Sequence, residues 1–143
     1  MLPPELLAHL AHTYPESFLR WCRNPTHCRL MTNFHARGAR SSANGEEIEF
    51  RLRLSSDGLI AEMAFTFEGR PVLLAAGEAV CTLCEGISCL QVSALDESQI
   101  AAELGEIPPS DHFDLMLAAE ALRTCMLDAV AVLRHPWKGP YVK

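Results

Sequence analysis

The stretch EIEFRLRLSSDGLIAEMAFTFEG, residues 47–69, decides the fold. In its first half apolar residues alternate with charged ones, and a period of two is typical of a strand with one solvated face. Asp57-Gly58 is a hairpin turn signal, because glycine adopts the positive φ that tight turns need. In the second half the residues predicted to share one face are Ala61, Met63, Phe65 and Phe67. The sequence therefore predicts an antiparallel hairpin whose apolar face is covered by other elements.

Helical patterns on both sides of the hairpin supply that cover. Residues 72–85 are apolar nearly all round, with Glu78, Thr82 and Glu85 confined to one stripe, which predicts a mostly buried helix. The longest helix is predicted to be capped by Ser110 or Asp111, to run to about residue 134 and to be ended by Pro136. Shorter helices are predicted at 3–11, 15–23 and 96–104, the last beginning with Asp96 and Gln99 in capping-box spacing. Polar residues 26–45 are predicted as a long loop. This order predicts one α+β domain over residues 1–143, a small antiparallel sheet with a hairpin core covered on one face by helices.

Length, composition and charge exclude several functional classes. The chain has 143 residues, of which 49% are hydrophobic and 21% charged, as in ordinary globular domains rather than disordered ones. A net charge of −6 disfavours a nucleic-acid partner, which needs a basic face. The sequence contains no run of 18 apolar residues, so no membrane-spanning helix is predicted. Without the basic and apolar regions of a signal peptide, we expect a cytoplasmic protein with six reduced cysteines.

Several short strings occur in an order and spacing that resemble one known family. They are Arg23-Asn24-Pro25, Ala43-Asn44-Gly45-Glu46, Asp57-Gly58-Leu59-Ile60, Phe65-Thr66-Phe67-Glu68-Gly69-Arg70, Glu85-Gly86-Ile87-Ser88, Ile107-Pro108-Pro109 and Leu117-Ala118-Ala119-Glu120-Ala121-Leu122. Together these strings resemble the NifU/IscU-type iron–sulfur cluster assembly scaffolds, from about residue 18 to residue 133. The resemblance implies that family's fold, an iron–sulfur cluster or iron or zinc as bound group, and a cysteine desulfurase or a chaperone as partner.

The ligand positions of that family differ in this chain. The family holds a nascent cluster with three cysteines and an acidic residue, helped by a histidine. The cysteine positions are occupied here by Asn44, Arg70 and, counting without gaps from the Pro-Pro segment, Asp114; Glu46 stands at the acidic position and Phe113 at the histidine. Clusters require soft thiolates, and a guanidinium has no lone pair to give a metal. The resemblance therefore implies the family's fold with its cluster site disabled, as in an accessory or regulatory member.

The substituted residues have two interpretations if the fold brings them together. Glu46 and Asp114, with His112, are hard ligands suited to iron or zinc. Alternatively, Arg70 neutralises the two carboxylates and the group is structural. We favour the ion pair, because a guanidinium among the ligands repels a cation by roughly 4 kcal/mol per charge pair at about 4 Å and an effective dielectric of about 20.

The cysteines outside these positions offer a second metal hypothesis. Cys81, Cys84 and Cys89 follow a C-x2-C-x4-C spacing, and paired thiols at short spacing are metal ligands. However, Cys81 and Cys84 lie within the predicted buried helix, where reduced cysteine behaves as a small hydrophobe. The favoured interpretation is therefore core cysteine. Cys28, beside His27 in the predicted loop, is the thiol that we expect to be accessible.

Three hypotheses for function follow from the sequence. The chain carries no Gly-rich phosphate loop, zinc-protease motif or nucleophile elbow, so we predict that it is not an enzyme. The first hypothesis is an accessory or regulatory iron–sulfur scaffold-like protein. The second is a small metal-binding protein that uses Cys81, Cys84 and Cys89, and the third is a ligand-free protein-interaction domain.

Overall fold

The computed structural model describes residues 2–92 and 95–135. Its helices are α1 (Pro4–Leu10), α2 (Glu16–Arg23), α3 (Pro71–Cys84), α4 (Cys89–Val92), α5 (Glu97–Leu104) and α6 (His112–Arg134). Its strands are β1 (Ala36–Ser41), β2 (Glu47–Leu54) and β3 (Ile60–Glu68), and a 3-10 turn at Pro109–Asp111 precedes α6. Pro136, predicted to end the last helix, lies outside the described residues. The α+β prediction is confirmed, and no described helix is long and apolar enough to span a bilayer.

The three strands form one antiparallel sheet in the order β1-β2-β3. Phe50 lies opposite Phe65 and Leu52 opposite Met63, so the predicted hairpin and its inward face are confirmed over most of its length. A register shift between Arg53 and Leu54 changes the pattern at the start of β3. As a result Ile60 is buried and Ala61 is exposed, which corrects the prediction that Ala61 points inward.

Strand β1 corrects the prediction of an unbroken loop over residues 26–45. Its sequence, ARGARS, lacks the alternation of large apolar residues that marks a strand. Small residues are needed here because α6 passes very close: a Cβ placed on Gly38 would lie 2.2 Å from the backbone nitrogen of Cys125. The absence of a side chain, rather than an apolar pattern, is what allows this strand to pack.

The segment before β1, residues 26–35, is called the strap here because it crosses the outer face of the sheet. Its start pairs with the edge of β3, where Phe65 N donates to His27 O and Arg29 N donates to Phe65 O, each at 3.0 Å. Farther along, Met31 and Phe34 form a small buried cluster with Ala64. The helices cover one face of the sheet, as predicted, and the strap covers part of the other.

The main core lies between the sheet and the helices, with α3 and α6 at its centre. Helix α3 is buried on nearly every side, as its composition predicts, and it packs so closely on β3 that a Cβ on Gly77 would lie 2.3 Å from the Phe65 ring. Helix α5 begins with the predicted capping box, in which Asp96 accepts from Gln99 N and Gln99 accepts from Asp96 N. The polar residues described next lie beside the start of β2, the end of β3 and the start of α6.

Candidate functional site

Four chain segments meet at one end of the sheet and bring acidic residues around Arg70. Glu46 immediately precedes β2, and Arg70 follows β3 as the N-cap residue of α3. Asp111 and Asp114 lie in the turn before α6 and in the first turn of α6. Tyr14 precedes α2 and reaches the same place. Residues from distant parts of the sequence therefore form a single group, the carboxylate cluster of Glu46, Asp111 and Asp114 around Arg70, with Tyr14 97 residues from Asp111 in the sequence.

Arg70 supplies the positive charge of the carboxylate cluster. Its Nη2 forms an ion pair with Asp111 Oδ1, and its Nη1 lies 3.8 Å from Asp114 Oδ2. Asp111 and Asp114 are buried, whereas about half of the Arg70 side chain, 47%, remains exposed. Two buried carboxylates thus share a cation that approaches from the surface, which limits the cost of removing their charges from water.

Tyr14 completes the surroundings of Asp111. Its hydroxyl donates to Asp111 Oδ2. Burial first, and then the hydrogen bond and charge of Asp111, raise the pKa of Tyr14 to about 12, so the phenol remains a neutral donor. Asp111 was a predicted cap for the last helix; its side chain makes no cap hydrogen bond, because Arg70 and Tyr14 occupy it.

Glu46 and Asp114 form a carboxyl pair on the other side of Arg70. Burial, and then the hydrogen bond and negative charge of Glu46, raise the pKa of Asp114 to about 7, although Arg70 opposes the shift. No donor in residues 2–92 and 95–135 reaches either oxygen of Asp114 or Oε2 of Glu46. A proton on Asp114 satisfies this pair, because the protonated carboxyl can donate to its neighbour.

The other residues predicted at this site lie apart from the cluster. Asn44 is exposed in the turn before β2, where its backbone nitrogen donates to Ser42 Oγ at 3.3 Å. His112 and Phe113 are exposed at the start of α6. The contacts of the described residues thus join Glu46, Arg70 and Asp114, whereas Asn44 and His112 are exposed.

Sequence reasoning missed Asp111 as a member of the cluster and Tyr14 as its partner. Asp111 stands where a helix cap is expected, so capping alone explained its presence in the sequence. Tyr14 lies 97 residues from its partner, and nothing in its local sequence indicates that pairing. Only the three-residue spacing between Asp111 and Asp114 at the start of a helix could have suggested that both carboxylates face the same group.

This donor set does not fit an iron–sulfur cluster. All the donors near Arg70 are oxygens, whereas clusters are held by thiolates. The guanidinium lies among the carboxylates and has no lone pair for a metal. Within the described part of the chain, no group of three or more His, Cys, Asp or Glu side chains is arranged to hold a metal ion.

The cysteines lie elsewhere and are mostly core residues. Cys81, Cys84 and Cys89 are buried, and the structure does not place them as a metal-ligand set among the described residues. Burial raises the pKa of Cys84 to about 12 and that of Cys81 well above its ordinary value, so both thiols remain protonated. Cys28 is half-buried at the start of the strap, which makes it more accessible than these three.

The chain thus folds as a small α+β domain, an antiparallel three-stranded sheet covered by helices. The family model described as the NifU-like N terminal domain matches residues 13–131, well over half of the chain. The chain therefore belongs to the NifU-like N-terminal domain family, and the resemblance in its sequence motifs is confirmed.

Individual relatives agree with this assignment. The bifunctional protein NifU/MnmA of Rubrobacter xylanophilus is 30% identical over 91 residues, which are 63% of this chain and 19% of that protein. The chain thus spans about a fifth of that relative. Among solved structures, a nitrogen-fixing NifU-like protein (N-terminal) from Brucella abortus has a TM-score of 0.65 and 14% identity, covering 82% of this chain and 94% of the other.

A second solved structure shares the fold over most of both chains. It is a putative iron–sulfur cluster assembly scaffold protein for the SUF system from Fervidobacterium islandicum. Its TM-score is 0.62 at 12% identity, with coverage of 87% of this chain and 99% of the other. At such identities the likeness concerns the fold, which these proteins share with the present chain.

Proposed function

We propose that this protein takes part in iron–sulfur cluster assembly as an accessory or regulatory member of its family, without itself holding a nascent cluster. The observation that carries the proposal is the position of Arg70. It stands where the resemblance places a cluster cysteine, and its guanidinium is paired with Asp111 and Asp114. This supports a site in which a salt-bridged cation replaces a thiolate ligand of the family.

The energetics of the carboxylate cluster support a structural rather than a metal-holding role. A metal bound by Glu46 and Asp114 would have to displace Arg70 from Asp114 and remove the proton that the carboxyl pair shares near neutral pH. It would also meet a positive charge held close by Asp111. Each step opposes cation binding, since like charges about 4 Å apart repel by roughly 4 kcal/mol at an effective dielectric of about 20.

The proposed partners are those that the family resemblance implies, a cysteine desulfurase or a chaperone of iron–sulfur assembly. The protein would act on them by binding, without catalysing a reaction. A surface around the carboxylate cluster is available for this, because Phe113 and Met116 are exposed on the first turns of α6. In the strap Met31 and Phe34 are buried, whereas Leu30 is exposed and adds apolar surface there.

Reconstitution with ferrous iron and sulfide in the absence of oxygen tests the proposal. The wild-type chain should acquire no sulfide-bearing chromophore. The matched variant replaces the three residues at the cysteine positions, Asn44→Cys, Arg70→Cys and Asp114→Cys, and circular dichroism verifies its fold. Cluster formation by the wild type would refute the proposal. Cluster formation by the variant alone would show that these three substitutions are what disables the site.

A binding measurement tests the accessory role separately. The purified chain is titrated into a cysteine desulfurase and into a cysteine-bearing scaffold of the same family, and the rate of cluster formation on that scaffold is followed. An accessory or regulatory member binds and changes that rate. If the chain binds neither protein and leaves the rate unchanged, the role in assembly is wrong even where the absence of a cluster is upheld.

A further inference from the structure

A second polar group lies at the edge of the sheet formed by β3. There His27 lies between Glu78, within α3, and Glu85, the residue that follows α3. His27 Nδ1 lies 3.1 Å from Glu78 Oε1, and His27 Nε2 lies 3.0 Å from Glu85 Oε1. The backbone nitrogen of His27 also donates to Glu78 Oε2 at 2.7 Å. We call the three residues His27, Glu78 and Glu85 the latch.

The geometry of the latch requires a protonated imidazole. Both ring nitrogens face carboxylate oxygens, and a neutral imidazole has one N–H and one lone pair. Loss of the proton would therefore turn one of the two contacts into a repulsion between acceptors. Glu78 is buried in a helix that is apolar on most sides, and its carboxylate would then keep no cationic contact among the described residues.

The latch holds the strap on the free edge of β3. His27 O accepts from Phe65 N and Arg29 N donates to Phe65 O, so the strap imitates a neighbouring strand. Glu85 extends the cover by accepting from the backbone nitrogen of Met63 at 2.9 Å. Without these contacts, the unpaired backbone groups of β3 would be open to strand addition.

We propose that the latch makes the strap a proton-controlled cover of the β3 edge. While His27 is protonated, its two carboxylate contacts hold the strap closed. When His27 loses its proton, the start of the strap detaches from β3 and the edge of the sheet becomes accessible, while Arg51 and Arg53 continue to hold the rest of the strap through the carbonyls of Met31, Thr32 and Asn33. The inference concerns this edge alone and does not depend on the proposed role in iron–sulfur assembly.

The sign of the pH effect follows from the surroundings of His27. Burial lowers the pKa of His27, but the hydrogen bonds and charges of Glu85 and Glu78 outweigh burial and raise it above 6.5. The latch contributes fully below about 6.5, the ordinary histidine pKa, and its contribution disappears as the pH rises through the higher pKa of the closed state.

Other titratable and charged groups near the latch are already paired or neutral. The side chains in question, from the strap, α2, α3 and β3, are Cys28, Cys22, Cys81 and the ion pair of Arg29 with Glu62. The three cysteine pKa values are raised mainly by burial, so these thiols remain protonated over the range in which His27 titrates. Thr26 Oγ1 lies 3.3 Å from His27 Nδ1 and does not titrate in this range. Among these side chains, His27 is therefore the one whose charge changes.

Amide hydrogen exchange on the full chain from pH 6 to pH 9 tests the proposal. Rates are corrected with an unstructured peptide of the same sequence, and peptides from the strap are compared with peptides from β2. We expect the strap to lose about tenfold in protection for each unit by which the His27 pKa in the closed state exceeds that in the open state, while β2 stays protected. Strap protection that follows β2 at every pH would overturn the proposal.

Three variants make the experiment specific. His27→Gln should remove the pH dependence, and Glu85→Gln should move its midpoint down by about one pH unit, because one opposite charge is lost. His9→Gln, at an exposed histidine of α1, should behave as the wild type. Persistent pH dependence in His27→Gln, or an unmoved midpoint in Glu85→Gln, contradicts the latch. If His27→Gln fails to fold, the wild type and Glu85→Gln still decide.

Discussion

Removing the cation from the carboxylate cluster should destabilise the protein in a pH-dependent way. The change is Arg70→Gln, which keeps most of the side-chain length and a hydrogen-bond donor but leaves Asp111 without a charged partner. Tyr14 still donates to Asp111, which reduces the loss. Asp114, the partner of Glu46, also loses the only cation that the described residues place beside it.

The structure sets the size of this effect. Breaking a buried ion pair by removing one partner costs about 3–5 kcal/mol of unfolding free energy. Arg70 is 47% exposed, so water screens the pair, and we expect a loss of about 1–3 kcal/mol at pH 8. At pH 5 Asp114 is protonated, since its pKa is about 7, and the loss should be smaller.

Urea unfolding at pH 5 and pH 8 measures the difference. Arg123→Gln, at an exposed arginine of α6, is the matched control and should change the unfolding free energy by less than about 0.5 kcal/mol. If Arg70→Gln costs no more than the control, or costs the same at both pH values, the carboxylate cluster does not depend on Arg70 in the way described here.

Three further outcomes are expected. The pKa of Asp114 is raised from 3.8 to about 7, so ionisation of Asp114 lowers the stability of the folded state as the pH rises through that window. Asp114→Asn should therefore flatten the pH dependence of the unfolding free energy, measured with urea, between pH 4 and pH 7. An unchanged slope contradicts the raised pKa. Gly38→Ala should lower the unfolding free energy by about 3 kcal/mol or more, because its methyl group meets the backbone of Cys125 at 2.2 Å; a thermal midpoint like that of the wild type would show that α6 is not this close. In the native protein a thiol reagent should modify Cys28 much faster than Cys81, and equal rates measured by peptide mass spectrometry would contradict the burial of α3.

The hairpin and the buried helix could be predicted because their signals are local. Residues 47–54 alternate on a period of two, and α3 has few polar residues to face water. Strand β1 could not be predicted in this way. Gly38 is needed there because the backbone of α6 at Cys125, 87 residues later in the sequence, passes too close for a side chain. The register shift between Arg53 and Leu54 likewise has no signal in the alternation itself.

The carboxylate cluster was predictable in part. The family resemblance aligned Glu46, Arg70 and Asp114 with one site, and the fold does bring these three together. The sequence did not predict the roles of Asp111 and Tyr14. A side chain at the start of a helix can either cap that helix or contact a distant residue, and only the three-dimensional contacts distinguish the two. The latch was missed for the same reason, since His27 pairs with partners 51 and 58 residues away.

The proposed function is tested most directly by the iron and acid-labile sulfide content of the wild-type protein purified from its own cells without oxygen. We predict neither sulfide nor visible absorption above the level of a control protein without cysteine ligands, because Arg70, which the resemblance aligns with a cluster cysteine, is a guanidinium paired with Asp111. Iron and sulfide in a fixed ratio, with visible absorption that survives gel filtration, would mean that the chain holds a cluster after all and would contradict the proposal.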